Sequence, residues 1–321
     1  MTQQTTTTAG IPAGPNDADN LYLKQFPGEV QKVFLTKTVM KGRFMERTIS
    51  SGRSAQFPAI GKAAAEYHTP GNLLLGQDFN QGEIVVNVDD LLVSTAFVSN
   101  FEEAMIHYEV RGEYARQMGD SLAQAYDQQL FAVATKACVD GASGAVAEMG
   151  SATRDAIGAT PTTTNIVDAI YAAAQHFDET DIPQNDRIAF VTPSTYWNLI
   201  KDGSMLDRDF GNNNGSQAGG NIYRVAGIEI IPSNNLAKNF GTDTLAGVRA
   251  GAGVTDYTVN GSTTVALVAQ RQALGTVHLM GMATEKDYQV ERQGTLMVAR
   301  YACGHKALRP ECLRLIAAAV S

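Results

Sequence analysis

The chain has 321 residues, of which 44% are hydrophobic, and a formal net charge of −8 at pH 7. This length predicts roughly two domains, and the hydrophobic content is sufficient for a packed core. The apolar run at residues 315–320 is far too short to span a bilayer. The first twenty residues are polar, lack the features of a signal peptide and predict a disordered tail. These features exclude a membrane-spanning class and predict a protein made in a cytoplasm.

The three cysteines and five histidines predict neither a disulfide framework nor a metal centre. The cysteines are odd in number and have no C-x-x-C spacing, which favours reduced, buried thiols. The neighbouring Cys303 and His305 supply two of the four ligands that a structural zinc site requires. We therefore expect neither a metal ion nor a cofactor.

Charge is divided unevenly along the chain. The segment from Lys24 to Lys62 holds eight lysines and arginines against two glutamates, a net charge of +6, so the remainder carries −14. Residues 100–140 hold seven acidic residues against three basic ones. A basic arm and an acidic body favour association between copies of the chain. Nucleic-acid binding by the arm is a weaker alternative, because the arm lacks interleaved aromatic residues and no helix-turn-helix or finger spacing is present.

Residues 47–71 have the composition of an extended arm, with three glycines, two prolines and several serines and threonines. They predict a two-stranded ribbon, which is marginally stable in water unless another surface covers it. The apolar residues of the arm are too few for a core of their own: Ile49, Phe57, Ile60 and Tyr67. The pattern therefore predicts a fold that neighbouring copies complete.

The segment from Ile84 to Phe97 is rich in β-branched residues and predicts one or two strands. Ser99 or Asn100 is then expected to cap a helix that runs to Ala137. Apolar and small residues recur in this helix at steps of three and four from Phe101 to Val133. About 35 helical residues would be roughly 50 Å long. The small and aromatic residues of the stripe favour packing against a sheet over a coiled coil.

The next segment, residues 141–164, is rich in glycine and threonine and predicts a loop. A compact α/β unit is expected to follow. Its predicted elements are a helix capped by Thr164, a strand at 188–192, a helix from Pro193 to Gly203 that contains Tyr196, Trp197 and Ile200, and a strand at 228–231. Residues 209–221 predict a polar loop.

Asn260 and Gly261, between β-rich flanks in residues 256–269, predict a hairpin. Further strands are predicted at 276–282, 287–292, 295–301 and 313–316.

No constellation of catalytic residues is recognisable. The chain has no G-x-x-x-x-G-K-[ST] phosphate loop and no G-x-S-x-G elbow, and the D-F-G at residue 209 occurs without the other kinase motifs. We therefore expect that the protein is not an enzyme. The alternative is a soluble α/β enzyme or ligand-binding protein with its site in residues 164–232.

Three segments carry a resemblance to a known family: RTISSGRSAQFPAIGKAAAEYHTPG (47–71), AMIHYEVRGEYARQMGDSLAQAYD (104–127) and YACGHKALRPE (301–311). They resemble the major capsid protein of short-tailed phages, the podoviruses of the T-odd coliphage group and their relatives. The resemblance implies the Johnson-type α+β capsid fold. Its parts would be an N-terminal arm (1–44), an extended hairpin loop (45–82), a peripheral domain with a spine helix (83–139), an axial domain (140–275) and closing strands (276–321).

The resemblance also implies a structural role in the virion. The chain would assemble in the host bacterial cytoplasm into hexamers and pentamers of an icosahedral head. Its partners would be a scaffolding protein, a portal protein at one vertex and double-stranded DNA that is bound non-specifically.

Within the extended loop, side-chain chemistry suggests which residues contact an adjacent subunit. Arg47 and Arg53 would pair with acidic residues on its spine helix, namely Glu102, Glu109 and Glu113. Phe57, Ile60 and Tyr67 would bury apolar surface there. Burial of a large side chain contributes about 1.5–3 kcal/mol, whereas an exposed ion pair contributes about 0–1 kcal/mol. The apolar residues should therefore contribute more than the charges.

Overall fold

The structure, a computed structural model, describes residues 30–318 except 63–64, 66, 72, 74–75, 77–79, 102–109, 147–148, 203–214, 217–220, 223 and 241–256. The predicted N-terminal tail, Glu102, Glu109 and most of the predicted loop at 209–221 lie outside these residues. The chain divides into two compact units. The first takes in residues up to Thr38, Leu91–Gln124 and Met280–Ala302, and the second takes in the rest.

The helices are α1 (residues 30–37), α2 (Val110–Val139), α3 (Thr163–Glu179) and α4 (Pro193–Asp202). The strands are β1 (Met45–Thr48), β2 (Ser54–Ile60), β3 (Gln81–Asn87), β4 (Leu92–Ser99), β5 (Thr153–Ala156), β6 (Arg187–Val191), β7 (Gly215–Ser216), β8 (Asn221–Ile222), β9 (Arg224–Val225), β10 (Ile228–Pro232), β11 (Thr264–Gln270), β12 (Leu274–Gln289), β13 (Gly294–Ala307) and β14 (Leu313–Ala317). This mixture of helices and sheets confirms the α+β class.

The first unit is built on an antiparallel strand pair and the N-terminal part of α2. β4 pairs with β13 in a register that runs from Ser99 opposite Gly294 to Leu92 opposite Tyr301. The Tyr301 hydroxyl donates a hydrogen bond to the Leu122 carbonyl of α2 at 3.3 Å. The Tyr301 ring also packs against Phe34 of α1, with ring centroids 5.8 Å apart. One aromatic side chain therefore joins three elements of this unit.

The second unit contains a six-stranded sheet in the order β5-β14-β11-β6-β10-β9. β6 and β10 are parallel, as are β14 and β5, whereas β11 is antiparallel to both β6 and β14. Every residue of β6 and β11 is buried, which explains why the central residues of both strands are apolar without alternation. Phe131 of α2 meets Phe190 of β6 edge-on, with ring centroids 5.2 Å apart. The sheet core therefore lies under the C-terminal half of the long helix.

Several predicted elements are confirmed. The β-rich segment at 84–97 forms parts of two strands, β3 and β4, and the strands predicted at 188–192, 228–231 and 313–316 are present. The long helix is present as α2, and residues 100 and 101 are also helical. Of its predicted stripe, Phe101 is exposed, and six positions are buried: Ala115, Met118, Leu122, Tyr126, Leu130 and Val133. The apolar period of the sequence therefore identified the buried side of this helix.

Other predictions are wrong. Residues 141–164 are not simply a loop, because they contain β5, and α3 is capped by Thr162, whose hydroxyl accepts the Asn165 N–H, rather than by Thr164. The strands predicted at 276–282 and 287–292 are largely one strand, β12.

The hairpin predicted at Asn260 is also wrong. Asn260 forms an isolated bridge with Asn239, and its side chain accepts the Ser262 N–H at 3.1 Å. Neither Asn260 nor Gly261 has the positive φ that a type I′ hairpin turn requires. The side chain of Asn260 thus forms a local turn that leads into β11.

Candidate subunit-contact surface

A two-stranded ribbon is present, but only its first strand, β2, lies within the predicted arm at 47–71, and its second strand is β3 at 81–87. The two strands pair antiparallel from Ser54 opposite Asn87 to Ile60 opposite Gln81. At one end the Val88 N–H donates to the Arg53 carbonyl at 2.7 Å, and at the other the Gly61 N–H donates to the Asn80 carbonyl at 2.8 Å. The backbone pairing of the ribbon therefore extends beyond both strands.

One face of the ribbon is covered by its own chain. Ala55 and Ala59 of β2 are buried on this inner face, as are Ile84 and Val86 of β3. A Cβ atom added at Gly82 would lie 2.9 Å from the Ala145 carbonyl oxygen, so the loop that follows α2 packs directly on the ribbon backbone. The expectation that the ribbon finds no cover within its own chain is therefore wrong for residues 54–60 and 81–87.

The predicted apolar contact residues lie in different environments. Phe57 is half-buried on the inner face of the ribbon, opposite Ile84. Ile60 is 62% exposed, and Tyr67 is fully exposed. Leu73 is 84% exposed and was not among the predicted residues, although it begins a run of three leucines at 73–75. The side chains of Ile60, Tyr67 and Leu73 are together called the ribbon apolar surface below.

The predicted charged contact residues are exposed and have partners within the chain. The Arg47 guanidinium donates to the Gln56 carbonyl at 2.7 Å. Glu113 accepts hydrogen bonds from Gln117 and Arg116 in the next turn of α2, at 2.9 and 3.2 Å, and these lower its pKa. Arg53 is also exposed. The pairing of these side chains with another copy stays a prediction.

A polar cluster that the sequence did not predict lies beside β1, with Tyr126 and His305 buried and Glu46 at the surface. His278 Nε2 is 3.7 Å from Glu46 Oε2, an ion-pair distance, and this imidazole is the main influence that lowers the Glu46 pKa to about 2. The Tyr126 ring stacks on His278 and meets His305 edge-on. β1 pairs in parallel with residues 275–278 of β12, which brings Glu46 close to His278 despite their separation in sequence.

The chemistry of this cluster is structural rather than nucleophilic. Cys303 Sγ lies 3.4 Å from His305 Nε2, an arrangement that resembles an activated thiol. Burial, however, raises the Cys303 pKa far above its usual value and lowers the His305 pKa to about 3. Both groups are therefore neutral near pH 7, whereas a reactive cysteine needs a stabilised thiolate.

In the described part of the chain no three histidine, cysteine or acidic side chains come together as possible metal ligands. Among the same residues, no helix combines the length and apolar character needed to cross a bilayer.

The fold with this ribbon, long helix and mixed six-stranded sheet is similar to solved phage capsid structures. The family model for Gp10A-like major capsid proteins matches residues 56–317, and the chain belongs to this family. It is therefore a structural protein of the phage capsid.

Two relatives and one solved structure support this assignment. The chain is 32% identical to the major capsid protein of Enterobacteria phage T3, over 96% of this chain and 94% of that protein. It is 30% identical to the major capsid protein of Escherichia phage T7, over 91% and 90% of the two chains. The capsid structure of cyanophage P-SCSP1u matches with a TM-score of 0.77 and 34% identity, over 88% of this chain and 89% of that one.

Proposed function

We propose that this capsid protein assembles into hexamers and pentamers of an icosahedral head around double-stranded DNA, and that the ribbon apolar surface of each copy is buried on the next. The observation that carries this proposal is the exposure of Ile60, Tyr67 and Leu73 within one short segment. Clustered apolar side chains on the surface of a soluble subunit are typical of a protein–protein contact.

The energetics favour the apolar side chains as the principal contacts. Burial of each of the three contributes about 1.5–3 kcal/mol. An exposed ion pair contributes about 0–1 kcal/mol, so Arg47 and Arg53 act mainly in orientation and in the rate of encounter with the acidic face of a neighbour. Phe57 supports the ribbon from its inner face, and its truncation would weaken the subunit itself.

The remaining parts of the proposal follow from family membership and charge. Residues 45–82 serve as the extended loop, 83–139 as the peripheral domain, 140–275 as the axial domain and 276–321 as closing strands, with 1–44 as the N-terminal arm. A scaffolding protein and a portal protein take part in assembly, and the chain has no enzymatic role. DNA contact is weak and non-specific, because a net charge of −8 repels phosphate.

Electron microscopy and size-exclusion chromatography of the purified full-length protein test the proposal. We expect capsomers or shells from the wild-type chain and from Tyr67→Phe, which keeps the ring. Tyr67→Ala should raise the concentration needed for assembly about tenfold or more, whereas Arg53→Ala should change it less than threefold. The proposal fails if Tyr67→Ala and Leu73→Ala both assemble at the wild-type concentration. It also fails if the wild-type chain stays monomeric at high concentration.

A further inference from the structure

Four large apolar side chains are exposed at one end of the first unit, and the ribbon contact does not account for them. They lie near the end of β4, directly after it, and at the turn between β12 and β13, and they are between 41% and 72% exposed: Phe97, Phe101, Tyr288 and Val290. A soluble subunit rarely exposes a group of large apolar side chains without a contact function. These four side chains are together called the tip apolar surface below.

Hydrogen bonds and close packing bring these residues to the same end of the sheet. The Asn100 N–H, directly after β4, donates to the Gln293 carbonyl at 3.0 Å, and the Asn100 side-chain amide donates to the Tyr288 hydroxyl at 2.9 Å. A Cβ atom added at Gly294 would lie 2.5 Å from the ring of Phe97, so this ring covers the start of β13. The end of β4 and the β12–β13 turn therefore form one tip.

The turn between β12 and β13 is held in one shape. Val290–Arg292 form a 3₁₀ turn, and Gln293 after it has left-handed backbone angles, φ 49° and ψ 51°, which are unfavourable for a residue with a Cβ atom. The Gln293 N–H and its side-chain amide both donate to the Val290 carbonyl, at 3.3 and 2.8 Å, and hold this conformation. Strained residues of this kind are concentrated at functional sites, and a fixed shape lowers the ordering cost of a contact.

The turn also carries side chains of opposite charge. Glu291 and Arg292 are exposed beside Val290, and among the described residues neither forms an ion pair. An acidic and a basic side chain next to an apolar centre are complementary to a rotated copy of themselves, because each carboxylate can face the guanidinium of the next copy. A partner of uniform charge would match only one of the two. The charges therefore favour a second copy of this chain as the occupant.

A shell needs a contact surface of this kind in addition to the ribbon. One pair of surfaces, repeated around an axis, closes a ring of copies, and a different surface is needed to join one ring to the next. The ribbon apolar surface belongs to the second unit, whereas the tip apolar surface belongs to the first. The chain therefore has two separate exposed apolar surfaces for two separate contacts.

We propose that the tip apolar surfaces of copies in neighbouring capsomers meet around a rotation axis, with Glu291 of each copy facing Arg292 of the next. The contact rests on the proposed function, because it joins the hexamers and pentamers proposed above. Val290 lies at its centre and is removed from water, and the charge pairs form the polar rim that fixes the rotation between copies.

Reversal of the two charges in the full-length protein tests the contact. Glu291→Arg or Arg292→Glu alone places like charges together and should raise the concentration needed for shells at least about tenfold, with capsomers still formed. The double variant restores opposite charges and should form shells within about threefold of the wild-type concentration. Both residues are exposed, so the melting temperature should be unchanged in all three variants.

Electron microscopy and size-exclusion chromatography separate the outcomes. Shells from both single variants at the wild-type concentration would overturn the tip contact and leave the proposed function intact, as would a double variant that assembles no better than the single ones. Folded single variants that form no capsomers would also overturn it, because the tip would then act within the capsomer. A wild-type chain that forms no capsomers would overturn the proposed function and the tip contact together.

Val290→Cys provides a direct readout, because the three cysteines of the chain are all buried. With a mild oxidant we expect disulfide-linked pairs of chains in shells of this variant but not in its free capsomers, and none in the wild type. Shells of Val290→Cys without such pairs would overturn the contact at this residue.

Discussion

Asp127 provides a quantitative test of how burial of a carboxylate affects the stability of the subunit. It is 1% exposed on α2, and its carboxylate accepts the N–H groups of Val39 and Met40 at 2.9 and 3.2 Å. Burial raises the Asp127 pKa from its usual 3.8 to about 6, although the two hydrogen bonds lower it. The folded chain therefore binds a proton at this site between pH 3.8 and about 6, where the unfolded chain does not. Through this group the free energy of unfolding falls as the pH rises across that window, by about 3 kcal/mol in all.

The variant Asp127→Asn keeps the shape and one acceptor oxygen but removes the ionisation. Its amide N–H₂ opposes one of the two backbone donors, which costs about 1–3 kcal/mol relative to the protonated Asp127 side chain. We therefore expect the variant to be less stable than the wild type near pH 4 and comparable to it above pH 6.5. Urea unfolding of the full-length chain at four values of pH from 4 to 7 measures this difference. Asp140→Asn, at an exposed residue just after α2, is the control and should give no such trend.

The reasoning is refuted if the stabilities of the wild type and Asp127→Asn change in parallel between pH 4 and 6.5. In that case the carboxylate is hydrated or paired more strongly than its burial indicates.

Three further predictions concern close packing and charge in the subunit. Gly304→Ala would place a Cβ atom on a backbone carbonyl oxygen of β3. In thermal unfolding it should lower the free energy of unfolding by at least about 1–3 kcal/mol. The control Gly281→Ala, which has open space around it, should lower it far less. Arg187→Met removes a buried guanidinium that makes charged hydrogen bonds. In urea unfolding it should lower the free energy of unfolding by about 1.5–3 kcal/mol. A variant as stable as the wild type would contradict this prediction. The pKa of Glu46, lowered to about 2 beside His278, adds stability that is lost as the pH falls from 4.5 to 2. Glu46→Gln should remove this dependence in an acid titration followed by circular dichroism, and an unchanged acid transition would contradict it.

The fold could be predicted from the sequence where a local pattern decides the structure. The buried stripe of α2 has the period of a helix, and β6 and β11 are apolar between their terminal residues because both of their faces are buried. β5, with the sequence TRDA, carries no such pattern, because it is the edge strand of its sheet and half of its side chains are exposed. Its position depends on pairing with β14, some 160 residues further along the chain.

The contact surface could be predicted only where the local sequence carries a pattern. The composition of residues 47–71 located one strand of the ribbon, β2, but not its partner β3 at 81–87, nor the face that its own chain covers. Phe57 and Ile60 are three residues apart in one strand and therefore point to opposite faces, a distinction that the alternation of the strand could have provided. The cluster of Glu46, Tyr126, His278 and His305 had no local signal, because it depends on the pairing of β1 with β12 across more than two hundred residues.

The position of β14 has a consequence for how the protein is made. This strand, residues 313–317, lies between β5 and β11 and is hydrogen-bonded to both, so it occupies an interior place in the sheet although it follows both of them in the chain. A polypeptide released early by the ribosome would leave two strands without their shared neighbour and expose their backbone to aggregation or proteolysis. We therefore expect that translation must pass residue 317 before the strands of this sheet can complete their pairing.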